Sequence, residues 1–398
     1  MSKKTRPGAG GGGGLPPTVT EDERILGAMV AADPVVWLWV QGGRAAGGHA
    51  EQEVPLPLVA EFTIGREGDV VIDRPTVSRV HAVASRLGQG LRVRLPSIPP
   101  KNGIEVRAVR LPRGDEAAVD PGETWRMGTT VVVALTDAQA RGRRTIASLL
   151  GTNAATWVVD SAARGCSFGV VSDDPAARRA VALAIAEVSP RRTGRRGELL
   201  IEGGTHHPHD RESVRAFAEA VSSGLAIVEQ EAVADLGLSN DDRGSLERYL
   251  TDGVRSTQLI WCAGTEGEVR GRLGLVADAL TWVAVPTVAE RARAGALPAM
   301  FDHAITSRQV KADARELFDR AGLRLSTLAA YPWPDGLAEL NLCVSYLLDQ
   351  QAGVPLQETA QKNGLSRHAL RRLVQSWQGG DGPRRRGLLD RMLRRGEE

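Results

Sequence analysis

The chain has 398 residues, 50 Lys and Arg against 48 Asp and Glu, a formal net charge of +2 and three cysteines. Such a length supports two or three domains, and so even a charge balance excludes a strong overall field toward nucleic acid or membrane, leaving any such preference local. Cys166, Cys262 and Cys343 have neither disulfide-like nor metal-like spacing, no apolar run reaches membrane-spanning length, and the N-terminus lacks a signal-peptide core, so a soluble cytoplasmic protein is expected.

Residues 1–20 are too rich in Gly, Pro and charge to bury apolar surface and are expected to form a disordered tail. Over 21–136, the runs VVWLWV, LVAEFTI, DVVI, HAVASRL, GLRVRL, IEVRAV and TTVVVAL are separated by Gly, Pro and Asp turns, which predicts an all-β sandwich. Over 137–297, strand-like runs (CSFGVV, GELLIEG, GLAIV, QLIWCAG) alternate with helical ones around 176–187 and 211–222, which predicts a parallel sheet covered by helices. Residues 298–350 read as almost wholly helical, and 351–398 hold two short helices and an arginine-rich tail.

The β region carries FTIGREGDVVIDRPTVSRVHA followed by KNGIEV. An anion with several acceptor oxygens needs a pocket of guanidinium and hydroxyl or amide donors converging from loops on a rigid scaffold. Arg66 and Ser78 are candidates for those roles. The stretch resembles a forkhead-associated (FHA) domain, the reader of phosphothreonine, with Gly65 and Arg66 in the first loop, Ser78, Arg79 and His81 in the second, and Asn102 and Gly103 in the third. The resemblance implies that Arg66 and Ser78 grip the phosphate, that Asn102 holds the peptide backbone, that His81 braces the loops, and that the partner is a threonine-phosphorylated protein. The third loop departs from the family pattern: IPPK intervenes between Ser97 and Asn102, and Lys101 stands where a Thr is common. A plain β-sandwich bearing an unrelated Arg and Ser fits the same residues.

In the α/β region, YPWPDGLAEL at 331–340 resembles the YPWPGNVREL signature of the AAA+ activators of sigma-54 RNA polymerase, and VPTVAERARAG, AVALAIAEVSPR and SGLAIVEQEAVADLG resemble further segments of that family over about 154–348. A P-loop works because glycines let backbone N–H groups wrap the phosphates while a Lys neutralises them. The equivalent run here, SDDPAARRA at 172–180, has no glycine; Pro175 removes a donor, Asp173 and Asp174 are acidic, and Arg178 replaces the lysine. Two carboxylates there would repel a triphosphate by several kcal/mol. Glu229-Gln230 replaces the family's Asp-Glu, Gly264 and Ala338 occupy its sensor positions, and Gly271 and Ala277 fall at or near its arginine fingers, with Arg270 and Arg272 close by. The expectation is a pseudo-ATPase scaffold, not an enzyme, with no cofactor and with 298–350 as its helical lid. The interval IEGGTHHPHDRESVRAFAEAVS lacks the family's sigma-54-contacting GAFTGA loop. His206, His207, His209 and Asp210 within it are zinc-ligand types in an awkward spacing for one ion, so a solvent-facing loop is expected.

LQETAQKNGLSRHALRRLV, at 356–374, reads as a helix, a turn at Asn363-Gly364-Leu365 and a second helix capped by Ser366. It resembles the Fis-type helix-turn-helix that ends many such activators, with Ala360 at the helix crossing and Leu365 and Leu370 in the core between. Arg367, His368, Arg371 and Arg372 then face outward, suited to phosphates and base edges in a major groove, and six arginines between 384 and 395 add sequence-independent attraction. The overall expectation is a signalling and transcriptional regulator that reads phosphothreonine and binds DNA. Its alternatives are an active ATP-dependent sigma-54 activator, against which the P-loop region argues, and a phosphopeptide-dependent scaffold without DNA binding, docking to its own copies or to other AAA+ subunits.

Overall fold

The computed structural model describes residues 34–41, 51–189, 198–201, 225–230, 258–308, 310, 312 and 314–379. The tail at 1–20, the helix expected over 211–222, the His206–Asp210 cluster and the arginines beyond 383 lie outside the described residues.

Among the described residues, eleven strands build the N-terminal sandwich: β1 (Val35–Val40), β2 (Gln52–Pro55), β3 (Glu61–Gly65), β4 (Val70–Val71), β5 (Ala82–Leu87), β6 (Gly90–Arg94), β7 (Ile104–Val106), β8 (Val109–Arg110), β9 (Glu116–Val119), β10 (Thr124–Met127) and β11 (Thr130–Thr136). One sheet runs β2-β1-β11-β10-β7-β8, the other β4-β3-β5-β6-β9. Alternating apolar residues such as Phe62 and Ile64 on β3, Leu91 and Val93 on β6, and Trp125 and Met127 on β10 fill the space between them. The run IEVRAV, read as one strand, is a hairpin: Arg107 and Ala108 both take positive φ (54° and 60°), the turn that matches strand twist. Neither residue type advertises that conformation. Arg107 is held there by Glu123 at 2.6 Å and Asp120 at 3.1 Å.

No linker separates the sandwich from the α/β half. Thr136 ends β11 and caps α1 (Asp137–Leu150): its hydroxyl accepts from the Gln139 N–H at 3.2 Å and its own N–H donates to Gln139 Oε1 at 3.0 Å. β1 and β11 also have two buried faces. Leu38, Val40, Val132 and Ala134 point into the sandwich, whereas Trp39, Val133 and Leu135 join the core of the α/β half. Arg143 and Arg144 on α1 lie over the rings of Trp39 and Trp37, at 4.9 and 5.0 Å, and pair with Glu51 and Glu53. The two cores therefore lie on opposite faces of one shared sheet.

The α/β half continues with α2 (Thr152–Ala163). Its parallel strands are β12 (Phe168–Val171), β13 (Glu198–Ile201), β14 (Leu225–Glu229), β15 (Gln258–Ala263) and β16 (Thr281–Ala284), in the order β13-β14-β15-β12-β16. Helix α3 (Pro175–Val188) leaves β12, and Gly142 of α1 lets the two helices approach until a Cβ there would lie 2.7 Å from the Ala184 carbonyl oxygen. After α4 (Glu266–Leu273) come α5 (Val288–Arg293), α6 (Leu297–Thr306), α7 (Ala314–Ala321), α8 (Leu325–Ala330), α9 (Gly336–Gln351), α10 (Leu356–Lys362) and α11 (Arg367–Gly379). Glu339 of α9 is fully buried; it accepts from the Tyr331 hydroxyl at 2.6 Å and from Trp377 Nε1 of α11 at 3.1 Å. Burial raises its pKa, and those two donors oppose the rise. Among the described residues no helix is long and apolar enough to cross a membrane.

Candidate functional site

Three loops meet at one end of the sandwich. Gly65 closes β3 where a Cβ would overlap the Arg79 carbonyl oxygen, so only glycine lets the first loop lie against the second. The Arg66 N–H then donates to Ser78 O at 3.0 Å and the Glu67 N–H to Arg79 O at 2.9 Å. His81 is fully buried beneath them: its Nδ1 accepts the Ser78 N–H at 3.0 Å, which puts the ring proton on Nε2, donated to Gly103 O at 2.8 Å. Burial lowers the His81 pKa, against the Gly103 bond, so the neutral tautomer that bridges the loops is the one retained.

The third loop is pinned from its other side. Asn102 donates its side-chain amide to Thr76 O at 3.0 Å, the Gly128 N–H donates to Gly103 O at 3.2 Å, and the Thr76 and Thr130 hydroxyls share a hydrogen bond of 2.8 Å. Asn102 thus braces the turn, while its Oδ1 makes no bond to another described residue and stays open to a ligand N–H. Nothing in the sequence singles out Thr76, because its role exists only once residues 26 and 54 positions away are folded onto it.

On this braced frame Arg66 and Lys101 are exposed, and the side chains of Arg66, Lys101 and Ser78 have no partner among the described residues. Arg79 meets Glu67 at 3.8 Å with both side chains mostly exposed (78% and 65%). A surface pair of that kind is worth about 0–1 kcal/mol and yields readily to a better anion. The loop end therefore offers guanidinium, ammonium and hydroxyl groups, with backbone held rigid behind them.

The carboxyl end of the parallel sheet is also built around an anion, but the anion is its own. Asp174 is buried and caps α3, accepting the Ala177 N–H at 3.1 Å, and its other oxygen accepts the Leu337 N–H of α9 at 2.6 Å. Two helix N-termini, each electropositive, converge on one carboxylate. Gly336 has φ of 57° and its Cα lies so close that a Cβ would overlap Asp174 Oδ2. Arg178 is buried, bonds Ser172 O at 3.2 Å and pairs with Glu229 at 3.4 Å. Gln230 accepts from Trp261 Nε1 at 3.0 Å, and Arg270 is taken by Glu266 and Asp278 at 2.7 and 2.6 Å. The sequence places Asp173 and Asp174 together as repelling charges; the structure separates them, with Asp173 exposed and Asp174 inside.

At the C-terminal end, α10 and α11 pack through Ala360, Leu365 and Leu370, all buried, and Ser366 Oγ accepts the Ala369 N–H at 3.2 Å as the cap of α11. Arg367, His368, Arg371 and Arg372 are exposed, while Ala369, Leu370, Leu373, Val374 and Trp377 are buried. That spacing gathers the four basic side chains on the solvent face of one helix. Among the described residues no cluster of His, Cys, Asp and Glu could hold a metal ion.

No known protein-family profile matches the chain, nor does any curated relative. Solved structures of FHA domains match its N-terminal region. The FHA domain of the CT664 protein from Chlamydia trachomatis is 17% identical, covering 25% of this chain and 96% of that one, with a TM-score of 0.20. The FHA domain of a hypothetical protein from Arabidopsis thaliana is 14% identical over 26% of this chain and 87% of that one, with a TM-score of 0.22. Mycobacterium tuberculosis EmbR, solved in complex with a low-affinity phosphopeptide, is 20% identical over 29% of this chain and 30% of that one, with a TM-score of 0.21. At these identities and scores the likeness adds nothing to the chemistry of the loops.

Proposed function

We propose that the protein is a non-enzymatic cytoplasmic regulator that reads a threonine-phosphorylated partner through the loop end of its sandwich, in the manner of an FHA domain, and binds DNA through α11. The observation that carries the reading is the set of unpaired Arg66 and Ser78 side chains on loops tied together by a buried, neutral His81. A doubly charged phosphate with three acceptor oxygens is the ligand those groups match. The direct test is titration of the full chain with a library of phosphothreonine peptides and their unphosphorylated twins. Equal binding of the two sets would overturn the reading.

The α/β half serves in this proposal as a pseudo-ATPase scaffold of the AAA+ kind. Asp174 supports it, because a nucleotide phosphate at the end of β12 would have to expel a carboxylate that two helix N-termini already hold. Calorimetric titration with Mg-ATP is expected to show no binding at sub-millimolar concentration. A saturable isotherm lost in Arg178→Ala would overturn the pseudo-ATPase reading. The DNA-binding assignment is supported by the basic, exposed face of α11 and by its buried anchor, Trp377 on Glu339, which fixes that face to the body of the protein.

A further inference from the structure

β7 and β8 place Glu105 and Arg110 directly opposite one another, so their side chains share a face, where opposite charges ordinarily pair. They do not pair here. Arg110 has no ion pair or hydrogen bond to Glu105 or to any other described residue, although the Arg107–Glu123 and Arg107–Asp120 bridges fix the turn that sets their register. The guanidinium instead lies against the third loop: a Cβ built on Gly103 would sit 3.0 Å from Arg110 Nε and 3.2 Å from its Nη2. Gly103, with φ of 69°, is the residue whose carbonyl His81 and Gly128 hold, next to Asn102.

The other charged groups nearby do not neutralise it. Glu105 also faces Arg126 across β10, Arg113 is held to the Ser97 carbonyl at 3.2 Å, and Lys101 is exposed and unpaired. A cation has thus turned from the acid opposite it to the turn on which the proposed peptide backbone rests.

We infer that Arg110 is a specificity residue that selects phosphothreonine peptides with an acidic side chain flanking the phosphothreonine. The inference rests on the phosphopeptide reading above, and a guanidinium meeting a carboxylate through two parallel N–H donors supplies the selectivity. The test scans a single Asp, then a single Lys, through the flanks of one alanine-rich phosphothreonine peptide, with unphosphorylated twins, against the full chain and its Arg110→Ala, Arg110→Glu and Arg66→Ala variants. At one flanking position Asp is expected to tighten binding about threefold to tenfold over Ala, given the exposure of the site. Arg110→Ala should level the Asp and Ala peptides, and Arg110→Glu should move the preference to Lys, with phosphate dependence intact in both. A flat Asp scan, or an Asp preference that survives Arg110→Glu, overturns the inference while the phosphate dependence stands. Binding indifferent to phosphate in every peptide overturns the underlying reading instead.

Discussion

On the proposed reading the loop end of the sandwich receives a negative charge from a partner, whereas the carboxyl end of the parallel sheet already holds one of its own. At the sheet end, Asp174 is the anion: it caps α3, accepts an N–H from the first turn of α9, and leaves Gly336 no room for a side chain. Arg178, on the helix that Asp174 caps, is occupied by Glu229 and Ser172. At the sandwich end the rigid groups are satisfied by each other, His81 with Ser78 and Gly103, Asn102 with Thr76, and Arg66 and Lys101 in front of them have no partner among the described residues, while Arg79 meets only the exposed Glu67. On the proposed reading the sandwich end keeps its frame paired and its functional groups open, whereas at the sheet end Arg178, Gln230 and Arg270 are all paired.

Arg66→Ala should break the sandwich end most severely. Removing the charged partner of a desolvated phosphate costs about 2–5 kcal/mol, because the phosphate is left without its cation, so binding to the best library peptide should fall at least thirtyfold and in practice below detection. Anisotropy with a labelled peptide measures it. Stability should hardly change, since Arg66 is exposed and has no side-chain partner among the described residues. An Arg66→Ala variant that binds normally would mean that the unpaired cations are merely solvated.

At the sheet end the same kind of substitution should show the opposite pattern, with stability lost and no ligand affected. Asp174→Ala removes a helix cap, worth about 1 kcal/mol, and leaves the part-buried Leu337 N–H without an acceptor, worth about 1–3 kcal/mol more. Urea unfolding is expected to show a loss of about 2–4 kcal/mol. Asp173→Ala, one residue away and exposed, should stay within about 0.5 kcal/mol of the wild type. Equal effects of the two would deny Asp174 its role in joining α3 to α9.

How much of this is legible in the sequence depends on how far each interaction reaches along the chain. The Ser366 cap acts within three residues of itself, and the alternation of VVWLWV and the helical spacing of Leu370 and Leu373 are local too, whereas Gly65 and His81 act on Arg79 and Gly103 farther along the chain and are legible only through the motif they belong to. The turn in IEVRAV is hidden because Arg107 and Ala108 are not residues that usually take positive φ, and their stabilisers, Asp120 and Glu123, come later. Asp174 is visible as an acid in a phosphate-like position, but its second partner is 163 residues away. β1 carries Trp37 and Trp39 on the face turned from the sandwich, a signal that this sheet is covered on both sides, yet only the fold shows that Arg143 and Arg144 cover it.

The continuity from sandwich to α11 brings the proposed DNA-binding face into the comparison. α1 is welded to β1 and β11, α3 packs on α1, Asp174 ties α3 to α9, and Glu339 ties α9 to Trp377. Arg371→Ala and Arg372→Ala lie on the far, exposed side of that helix and should leave stability within about 0.5 kcal/mol. If α11 reads duplex DNA, each should weaken binding to genomic fragments and lower the dependence of log K on log salt by about one. A full chain that binds no duplex at low salt would leave α10 and α11 as packing elements, and the phosphopeptide scaffold would be the better description.

The smallest expected effect divides the sandwich end itself. Lys101 is present because IPPK lengthens the third loop, and the structure ties that loop to the second through Asn102 and to His81 through Gly103. Its ammonium is exposed, so it contributes through screened attraction rather than through a desolvated contact. Lys101→Thr should therefore weaken every phosphopeptide by about twofold to fivefold, within the range of an exposed charge pair, and the loss should shrink in high salt. Arg110→Ala, by contrast, should weaken only peptides with an acidic flank. Titrating both variants with one acidic and one neutral phosphopeptide separates a general field from a directed contact. If Lys101→Thr is silent toward both peptides, the lengthened loop carries its charge away from the phosphate, and the phosphate itself is gripped without it.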